Sequence, residues 1–261
     1  MYLLYPIYKD IHMLKEERRQ YILDKIKLNR KVLSTNLSTE LNVSEDTIRR
    51  DLNELSNNGL IKKVHGGALP LENKAPSYDE RSNYNLEEKN IIAKKAVSLI
   101  KEGQVIIMSG STTNLQLAKI IPSDINATIY TYSLPIAIQL TEHSSIEIIF
   151  IGGKLNKRAQ VTVGLDVVAS ISQLRADLCF MGTGGIDIAK GMTEPNWEVS
   201  HIKRIMIDAS DQVVVLCANN KINEVKRYPV TPINDINTII TDIDPNDQIF
   251  KPYKDKGITI L

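Results

Sequence analysis

The stretch SEDTIRRDLNELSNNGLIKKVHGGA, residues 44–68, decides the fold of the N-terminal part of the chain. Ser44 is well suited to cap the N-terminus of a helix, and two acidic residues follow it in the first turn, where they suit the helix dipole. Apolar side chains then fall at positions i, i+4 and i+7, which predicts one buried stripe. These side chains are Ile48, Leu52 and Leu55.

The same stretch continues into a predicted β-wing. Asn58-Gly59 favours the left-handed geometry that ends a helix. A strand is predicted from Leu60 to Val64, and Gly66-Gly67 favours a turn after it. Lysines and a histidine on this wing would lie close to DNA phosphates and add sequence-independent affinity.

Two helices are predicted upstream. The first covers Lys15 to Lys27, and the second begins at Ser34 and ends before the turn Asn42-Val43-Ser44. A short helix, a tight turn and a helix that presents arginines is the arrangement that places a recognition helix in the major groove. Arg49-Arg50 alone could be a solvated helix face; three helices, a cap and a wing in order favour DNA binding.

We therefore predict double-stranded operator DNA as a partner. The expected DNA-binding residues lie on the second helix, the recognition helix and the wing: Ser34, Ser44, Glu45, Asp46, Thr47, Arg49, Arg50, Asn53, Lys62, Lys63 and His65.

Residues 44–68, together with MLKEERRQYIL at residues 13–23, resemble the DeoR family of bacterial transcriptional regulators. The resemblance implies a winged helix-turn-helix followed by an α/β effector domain related to ribose-5-phosphate isomerase. It also implies a function, the repression of a sugar-metabolism operon that a phosphorylated sugar relieves.

Composition and charge agree with such a protein. Of 261 residues, 43% are apolar and 24% charged, typical of a globular chain, and no apolar run approaches a membrane span. Residues 1–70 hold 12 basic and 9 acidic side chains, whereas the remainder holds 20 and 22, so the basic excess lies on the predicted DNA-binding part. Cys179 and Cys217 lie in apolar runs and are expected to be buried free thiols in a cytoplasmic protein; a disulfide or metal pair is the alternative.

Four segments are predicted. Residues 1–12 are a non-native or disordered extension, since Met13 begins a typical start; 13–69 are the winged helix-turn-helix; 70–84 are a linker with two prolines; and 85–261 are the effector domain. In the last segment, apolar strands alternate with helices, which predicts a Rossmann-like, mostly parallel sheet covered on both faces. The predicted strands are 105–108, 127–132, 146–151, 177–181, 212–217 and 237–242.

Loops after these strands predict a ligand crevice, because open parallel sheets bind ligands at the carboxyl ends of their strands. Residues 109–113 combine small hydroxyl side chains with a helix N-terminus, which suits an anion; a capped turn is the alternative. The resemblance implies that other loops line the pocket and that two lysines contribute, although one, Lys203, could be an exposed helix lysine. The predicted effector residues are Ser109, Gly110, Ser111, Thr112, Thr113, Tyr132, Gly152, Gly153, Gly182, Thr183, Gly184, Lys203 and Lys221.

The chain departs from the family pattern at three positions. Met108 and Ala218 stand where the family usually has Asp, and Tyr132 stands where it has Asn. The lost polar groups would bind sugar hydroxyls, so an altered effector, or a regulator that responds to none, remains open. The glycines at 182–185 do not complete GxGxxG, so no dinucleotide or other cofactor is expected.

An enzyme is a further alternative, a sugar-phosphate isomerase fused to a DNA-binding module with Asp187 or Glu194 as general base. We favour a regulator over an enzyme, because the crevice loops otherwise offer no carboxylate. The two-fold symmetry of bacterial operators further predicts a homodimer or homotetramer.

Overall fold

A computed structural model describes residues 13–71 and 77–261. The chain forms two compact units, one that ends at Pro76 and one that begins at Ser77. The prediction for residues 1–12 lies outside the described residues.

The N-terminal unit is a winged helix-turn-helix. Its strands form one sheet in the order β1-β3-β2, with both pairs antiparallel. Its elements are α1 (Lys15–Asn29), β1 (Val32–Leu33), α2 (Ser34–Leu41), α3 (Glu45–Asn57), β2 (Ile61–Val64) and β3 (Gly67–Pro70).

Local chemistry explains these elements. The Ser44 side chain accepts a hydrogen bond from the Thr47 backbone N–H at 3.2 Å, so the predicted N-cap of α3 is confirmed. The predicted stripe of α3 is buried against α1 and α2. A Cβ at position 67 would stand 1.9 Å from the Val32 carbonyl oxygen. Only glycine therefore lets β1 pair with the wing.

The C-terminal unit is built on a seven-stranded sheet in which every pair is parallel. The order is β15-β14-β12-β9-β4-β5-β6. The strands are β4 (Val105–Met108), β5 (Ala127–Thr131), β6 (Ile146–Phe150), β9 (Ala176–Gly182), β12 (Ser210–Leu216), β14 (Thr238–Ile240) and β15 (Thr259–Ile260).

Helices cover both faces of this sheet, as the continuous apolar strands predict. One core contains side chains of α5 (Leu86–Ala96), α6 (Thr112–Ile120) and α7 (Leu134–Leu140). The other contains side chains of α8 (Leu165–Ser172), α9 (Trp197–Asp208) and α10 (Lys251–Lys254). The predicted fold class, a winged helix-turn-helix followed by a mostly parallel α/β domain, is confirmed.

The order of the strands reverses between β4 and β9. From β4 the chain builds outward through β5 to β6, and it then returns to add β9, β12, β14 and β15 on the other side. In open α/β sheets this reversal is where ligands bind, beyond the carboxyl ends of the strands. Residues 109–113 and 182–184 lie there.

The structure also contains elements that the sequence pattern did not predict. Two small sheets join the C-terminal unit, one of β7 and β8 and one in the order β10-β11-β13. Their strands are β7 (Lys154–Asn156), β8 (Val161–Val163), β10 (Gly185–Asp187), β11 (Gly191–Glu194) and β13 (Tyr228–Thr231).

The stretch 70–84, which the sequence predicted as a linker, differs from that prediction. β3 ends at Pro70, and α4 (Tyr78–Ser82) packs in the C-terminal unit, where its Tyr78 side chain is buried. The Ser77 side chain caps α4 in a capping box with Glu80, a signal that the prolines and polar residues around it obscured. Within 13–71 and 77–261, no helix is long and apolar enough to cross a membrane.

Candidate functional site

The exposed face of α3 carries most of the residues predicted to bind DNA. Arg49 and Arg50 are exposed, and so is Asn53 one turn later. Asp46 Oδ1 accepts a hydrogen bond from Arg49 Nη1 at 3.1 Å, on the surface. Within the described part of the chain, Arg50 has no hydrogen-bond or ion-pair partner, so its guanidinium is available to a base edge or a phosphate.

The wing adds basic groups beside this face. Lys62, Lys63 and His65 are all exposed. Lys63 Nζ donates to Asn53 Oδ1 at 2.5 Å, which ties the wing to α3. Recognition helix and wing therefore form one basic surface, the DNA surface, defined by Arg49, Arg50, Asn53, Lys62, Lys63 and His65.

Ser34 differs from the other predicted DNA-binding residues. Its side chain is buried, and its backbone N–H donates to the Gly66 carbonyl at 2.8 Å. The Ser34 backbone thus holds the turn of the wing in place, and its buried side chain does not form part of the DNA surface. The side chains of Ser44 and Thr47 bond to each other at the N-terminus of α3, whereas Glu45 remains exposed.

Beneath the DNA surface lies an arginine–carboxylate cluster, which we define as Arg18, Arg19, Asp51 and Glu54. The Asp51 carboxylate of α3 is 1% exposed. It accepts from Arg18 Nε at 2.6 Å and from Arg19 Nε at 3.2 Å, and Arg19 also bonds Glu54. Two guanidinium groups on α1 thus neutralise the buried carboxylate and fix the recognition helix to α1.

At the reversal of the sheet, the loop 109–113 is held by its own side chains. Ser109 Oγ accepts hydrogen bonds from the Gly182 backbone N–H at 3.0 Å and from Asn114 Nδ2 at 3.2 Å. Ser111 Oγ caps α6 by accepting from the Asn114 backbone N–H at 2.9 Å. The two serine hydroxyls therefore shape the loop, while the first N–H groups of α6 have no partner within the helix.

Close contacts of neighbouring residues explain three of the predicted glycines. A Cβ on Gly182 would stand 2.3 Å from Ser111 Cβ, and a Cβ on Gly110 would stand 2.2 Å from Val161 Cγ1. Gly184 is crowded in the same way by Pro195 and the Thr193 carbonyl. Gly182 therefore lets the loops after β4 and β9 meet at the reversal, whereas Gly110 leaves room for β8 and Gly184 leaves room for the end of β11.

The remaining loop residues divide into two groups. Thr112, Thr113 and Thr183 are buried close to the reversal, and Tyr132 is fully buried with a hydroxyl that has no hydrogen-bond partner in the described chain. Burial, and the carboxylate of Glu194, raise the pKa of Tyr132. By contrast, the exposed pair Gly152 and Gly153 follows the edge strand β6, three strands from β9.

Lys203 is not an exposed helix lysine. It is 2% exposed, and its Nζ donates to the Gly182 carbonyl oxygen at 2.6 Å and to the Glu194 carboxylate. Glu194, on β11, is itself 7% exposed. Because Lys203 bonds both Glu194 and the Gly182 carbonyl, this ion pair holds the loop after β9 in place.

Two further cations interact with this ion pair, and a third faces those two. Arg81 of α4 and Lys221 both interact electrostatically with Glu194, and Lys89 of α5 is repelled by both of these cations. Burial lowers the pKa of Arg81 and of Lys221. Burial, and then repulsion by Lys221 and Arg81, lowers the pKa of Lys89 to about 7. We define Arg81, Lys89, Lys203 and Lys221 as the cation cluster.

The cation cluster is not neutralised. Among the described residues, Glu194 is its one buried carboxylate, and Glu88 adds a partly exposed one beside Lys89. Like charges in a partly dry site repel each other and favour loss of protons or arrival of an anion. The cluster therefore has the electrostatics of an anion site.

Sequence reasoning found Lys203 and Lys221, named Glu194 only as a general base of the alternative enzyme, and missed Arg81 and Lys89. Lys89 precedes Ile92, Ala93 and Ala96 on the buried face of α5, so its helical phase was a usable signal. No comparable signal existed for Arg81, in the stretch taken as a linker, or for Glu194 on a short strand.

Comparisons with known proteins agree with this architecture. A family model described as a DeoR-like helix-turn-helix domain matches residues 18–74. A second one, described as the DeoR C terminal sensor domain, matches residues 84–243. The fold and the DNA surface thus define a helix-turn-helix transcriptional regulator.

Similar proteins extend over almost the whole chain. The HTH-type transcriptional regulator GolR of Listeria innocua is 34% identical over 246 residues, 94% of this chain and 97% of its own. The HTH-type transcriptional repressor GlcR of Bacillus subtilis is 34% identical over 251 residues, 95% of this chain and 96% of its own. The chain belongs to the DeoR family, and the family predicted from residues 13–23 and 44–68 is confirmed.

Solved structures with a similar fold include ribose 5-phosphate isomerase A from Methanocaldococcus jannaschii. Its TM-score is 0.40 at 17% identity, with coverage of 53% of this chain and 55% of that one. The curated relatives described above are named as transcriptional regulators or repressors, not as enzymes.

Proposed function

We propose that the protein represses a sugar-metabolism operon and leaves its operator when a phosphorylated sugar binds at the reversal of the sheet. The observation that carries this proposal is the excess of positive charge in the cation cluster, where Lys89 and Lys203 are buried and Arg81 and Lys221 are half-buried. A DeoR relative, GlcR, is named a repressor, and another relative, from Escherichia coli, is named an L-fucose operon activator.

A phosphate group fits the chemistry of this site. It would receive backbone N–H groups from the start of α6, where a helix N-terminus favours anions. Arg81 could bind two phosphate oxygens at once, and Lys221 would add a point charge. Lys203, which already bonds Glu194 and Gly182, would orient the loop rather than contact the ligand.

The three departures from the family pattern bear on the sugar part of the effector. Met108, Tyr132 and Ala218 are all buried. Of the three, only Tyr132 brings a polar group, its unpartnered hydroxyl. We therefore expect selectivity for phosphate with fewer hydroxyl contacts than the family pattern provides.

A regulator is preferred to an isomerase because of how the candidate bases are engaged. Aldose–ketose isomerisation needs a base within reach of the substrate's carbon acid. The Asp187 carboxylate accepts from the backbone N–H groups of Ala189 at 2.9 Å and Lys190 at 2.8 Å, and Glu194 is paired with Lys203. Turnover of pentose or hexose phosphates by the purified protein would contradict this preference.

Operator recognition is proposed for the DNA surface. One winged helix-turn-helix reads one half-site, and a two-fold operator matches a protein dimer or tetramer. Light scattering at micromolar concentration, with and without DNA, should give a dimer or a tetramer. A monomer under both conditions would contradict this part.

Calorimetry against a panel of pentose and hexose phosphates, each paired with its unphosphorylated sugar, tests the effector site. We expect one or more phosphorylated compounds to bind, the free sugars not to bind, and Lys221→Ala to abolish binding. Lys119→Ala is the matched control, because Lys119 is an exposed lysine at the opposite end of α6. Equal binding by Lys221→Ala, or no phosphate that binds at all, would overturn the site.

A further inference from the structure

The first helix after the DNA-binding unit is held by a cation of the effector domain. α4 (Tyr78–Ser82) is the first described element beyond residues 72–76, through which the chain arrives from the helix-turn-helix. α4 is therefore the described element of the C-terminal unit that is nearest in sequence to the DNA-binding unit. The contacts that fix α4 are the ones through which the anion site would act on it.

Two kinds of contact fix α4. On one side, the Tyr78 backbone N–H donates to the Arg158 carbonyl at 2.8 Å, and Gln160 Nε2 donates to Asp79 Oδ1 at 3.0 Å. At its other end, the Lys89 ammonium donates to the backbone carbonyls of Arg81 and Tyr84. Carbonyls at the end of a helix are an electronegative site that suits a cation.

Lys89 is in an unusual position for such a role. It is 6% exposed, and the groups that face it are Lys221, Arg81 and Glu88, two of them cationic. Its hydrogen bonds to α4 are strong only while it carries its proton, because charged hydrogen bonds are about twice as strong as neutral ones. The repulsion that opposes protonation of Lys89 comes from Arg81 and Lys221, the two cations proposed to bind the phosphate.

We propose that Lys89 is the positioning residue that couples the anion site to α4. An anion between Arg81 and Lys221 relieves the repulsion on Lys89, which then holds α4 more tightly. This inference rests on the proposed anion site. Arg81 contributes twice, through its guanidinium to the anion and through its carbonyl to Lys89. Occupancy of the site therefore acts directly on α4, the first described element after the connecting residues.

Hydrogen–deuterium exchange of the full-length protein, with inorganic phosphate as the probe, tests the inference. In the wild type, saturating phosphate should slow exchange of amides in residues 78–85 by about fivefold or more. Calorimetry on the same samples establishes that the site is filled. Phosphate that binds without slowing this segment in the wild type overturns the coupling and leaves the proposed function standing.

Variants of Lys89 then distinguish its effect on residues 78–85 from phosphate binding itself. Lys89→Met keeps the buried stem and removes the ammonium, so the segment should no longer respond although phosphate still binds. Lys89→Arg restores a cation that can donate to both carbonyls and should restore the response. Lys94→Met, an exposed lysine on the same helix, is the matched control and should behave as the wild type.

Two results would overturn the inference. An unchanged response of residues 78–85 in Lys89→Met would show that α4 is held without Lys89. Absence of any phosphate binding to the wild type would overturn the inference and the proposed anion site together. If Lys89→Met does not fold, the wild-type exchange experiment and Lys89→Arg still decide.

Discussion

Both units of this protein bury charged side chains, and the two clusters differ in balance. In the arginine–carboxylate cluster, the two guanidinium groups of Arg18 and Arg19 on α1 are matched by two carboxylates on α3, buried Asp51 and half-exposed Glu54. In the cation cluster, four basic side chains share one buried carboxylate among the described residues. A balanced cluster can serve as structure alone, whereas an unbalanced one is a candidate for a ligand site.

The largest effect should come from the balanced cluster. Asp51→Ala leaves Arg18 and Arg19 without their buried partner, and removal of one member of a buried pair costs about 3–5 kcal/mol. We expect the N-terminal unit to lose that much free energy of unfolding. Circular dichroism during denaturant titration, with hydrogen exchange to identify the unit that opens, measures it.

Asp46→Ala is the control for this prediction. Asp46 pairs with Arg49 on the surface of the same helix, where an ion pair contributes less than about 1 kcal/mol. Equal losses for the two variants would mean that burial and balance do not matter here.

The unbalanced cluster should respond in the opposite way. Lys221→Met removes a repelled cation, so it should leave unchanged or raise the melting temperature of the C-terminal unit in anion-free buffer. A ligand at about 100 times its dissociation constant stabilises the wild type by about 2.7 kcal/mol, and the variant should not gain this. Differential scanning calorimetry of the wild type and of Lys221→Met, each with and without a sugar phosphate, measures both effects. Strong destabilisation of the anion-free variant would contradict the comparison between the two clusters.

On the DNA surface, Arg50 and Lys62 should differ in the kind of DNA contact that they make. Arg50→Ala should weaken operator binding by about 1–3 kcal/mol and spare random DNA, if Arg50 reads a base. Lys62→Ala should weaken binding to all duplexes alike and reduce the salt dependence. Fluorescence anisotropy with operator and scrambled duplexes measures both. Equal losses on both duplexes for Arg50→Ala would assign it to phosphate.

A smaller effect should follow from pH. Burial and the neighbouring cations lower the pKa of Lys89 to about 7, below its unfolded value of 10.5. Between these values the unfolded chain holds a proton that the folded one releases, so this group favours folding more as pH rises through that window. Anion binding has the opposite sign, because the charged form of Lys89 adds to the attraction that Arg81 and Lys221 exert on the anion.

Sulfate is a suitable probe of this linkage, because it stays a dianion over the whole range. Its affinity should be level below pH 7 and should fall above it by up to about tenfold per unit, as one proton is lost. Lys89→Met should remove the slope. A flat wild-type profile from pH 6 to 9 would show that Lys89 does not take part.

The sequence predicts the N-terminal unit well, because local signals agree there. The cap at Ser44, the stripe of α3 and the glycine turn of the wing each specify one conformation. Asp51 was missed as a buried residue, although it falls three residues after Ile48 on the buried face of α3. A carboxylate on the buried face of a helix indicates that a cation is buried beside it.

The effector site was predicted only in part, because its charges come from distant elements. Six of the seven strands of the main sheet were predicted and β15 was missed; the reversal of strand order brings the loops after β4 and β9 together. Lys203 lies between Val199 and Met206 on the buried face of α9, so its burial could have been predicted from periodicity. The meeting of Arg81, Lys89 and Lys221 depends on tertiary packing that no local pattern encodes.

Operator affinity of the full-length protein, measured with and without a sugar phosphate found by calorimetry, tests the central claim most directly. At constant ionic strength, the phosphorylated sugar should lower operator affinity by roughly 5–150-fold, and its unphosphorylated form should have no effect. Lys221→Ala should bind the operator as the wild type does and lose the response. An operator affinity that no sugar phosphate changes would contradict the account, since the unbalanced cation cluster would then have no regulatory ligand.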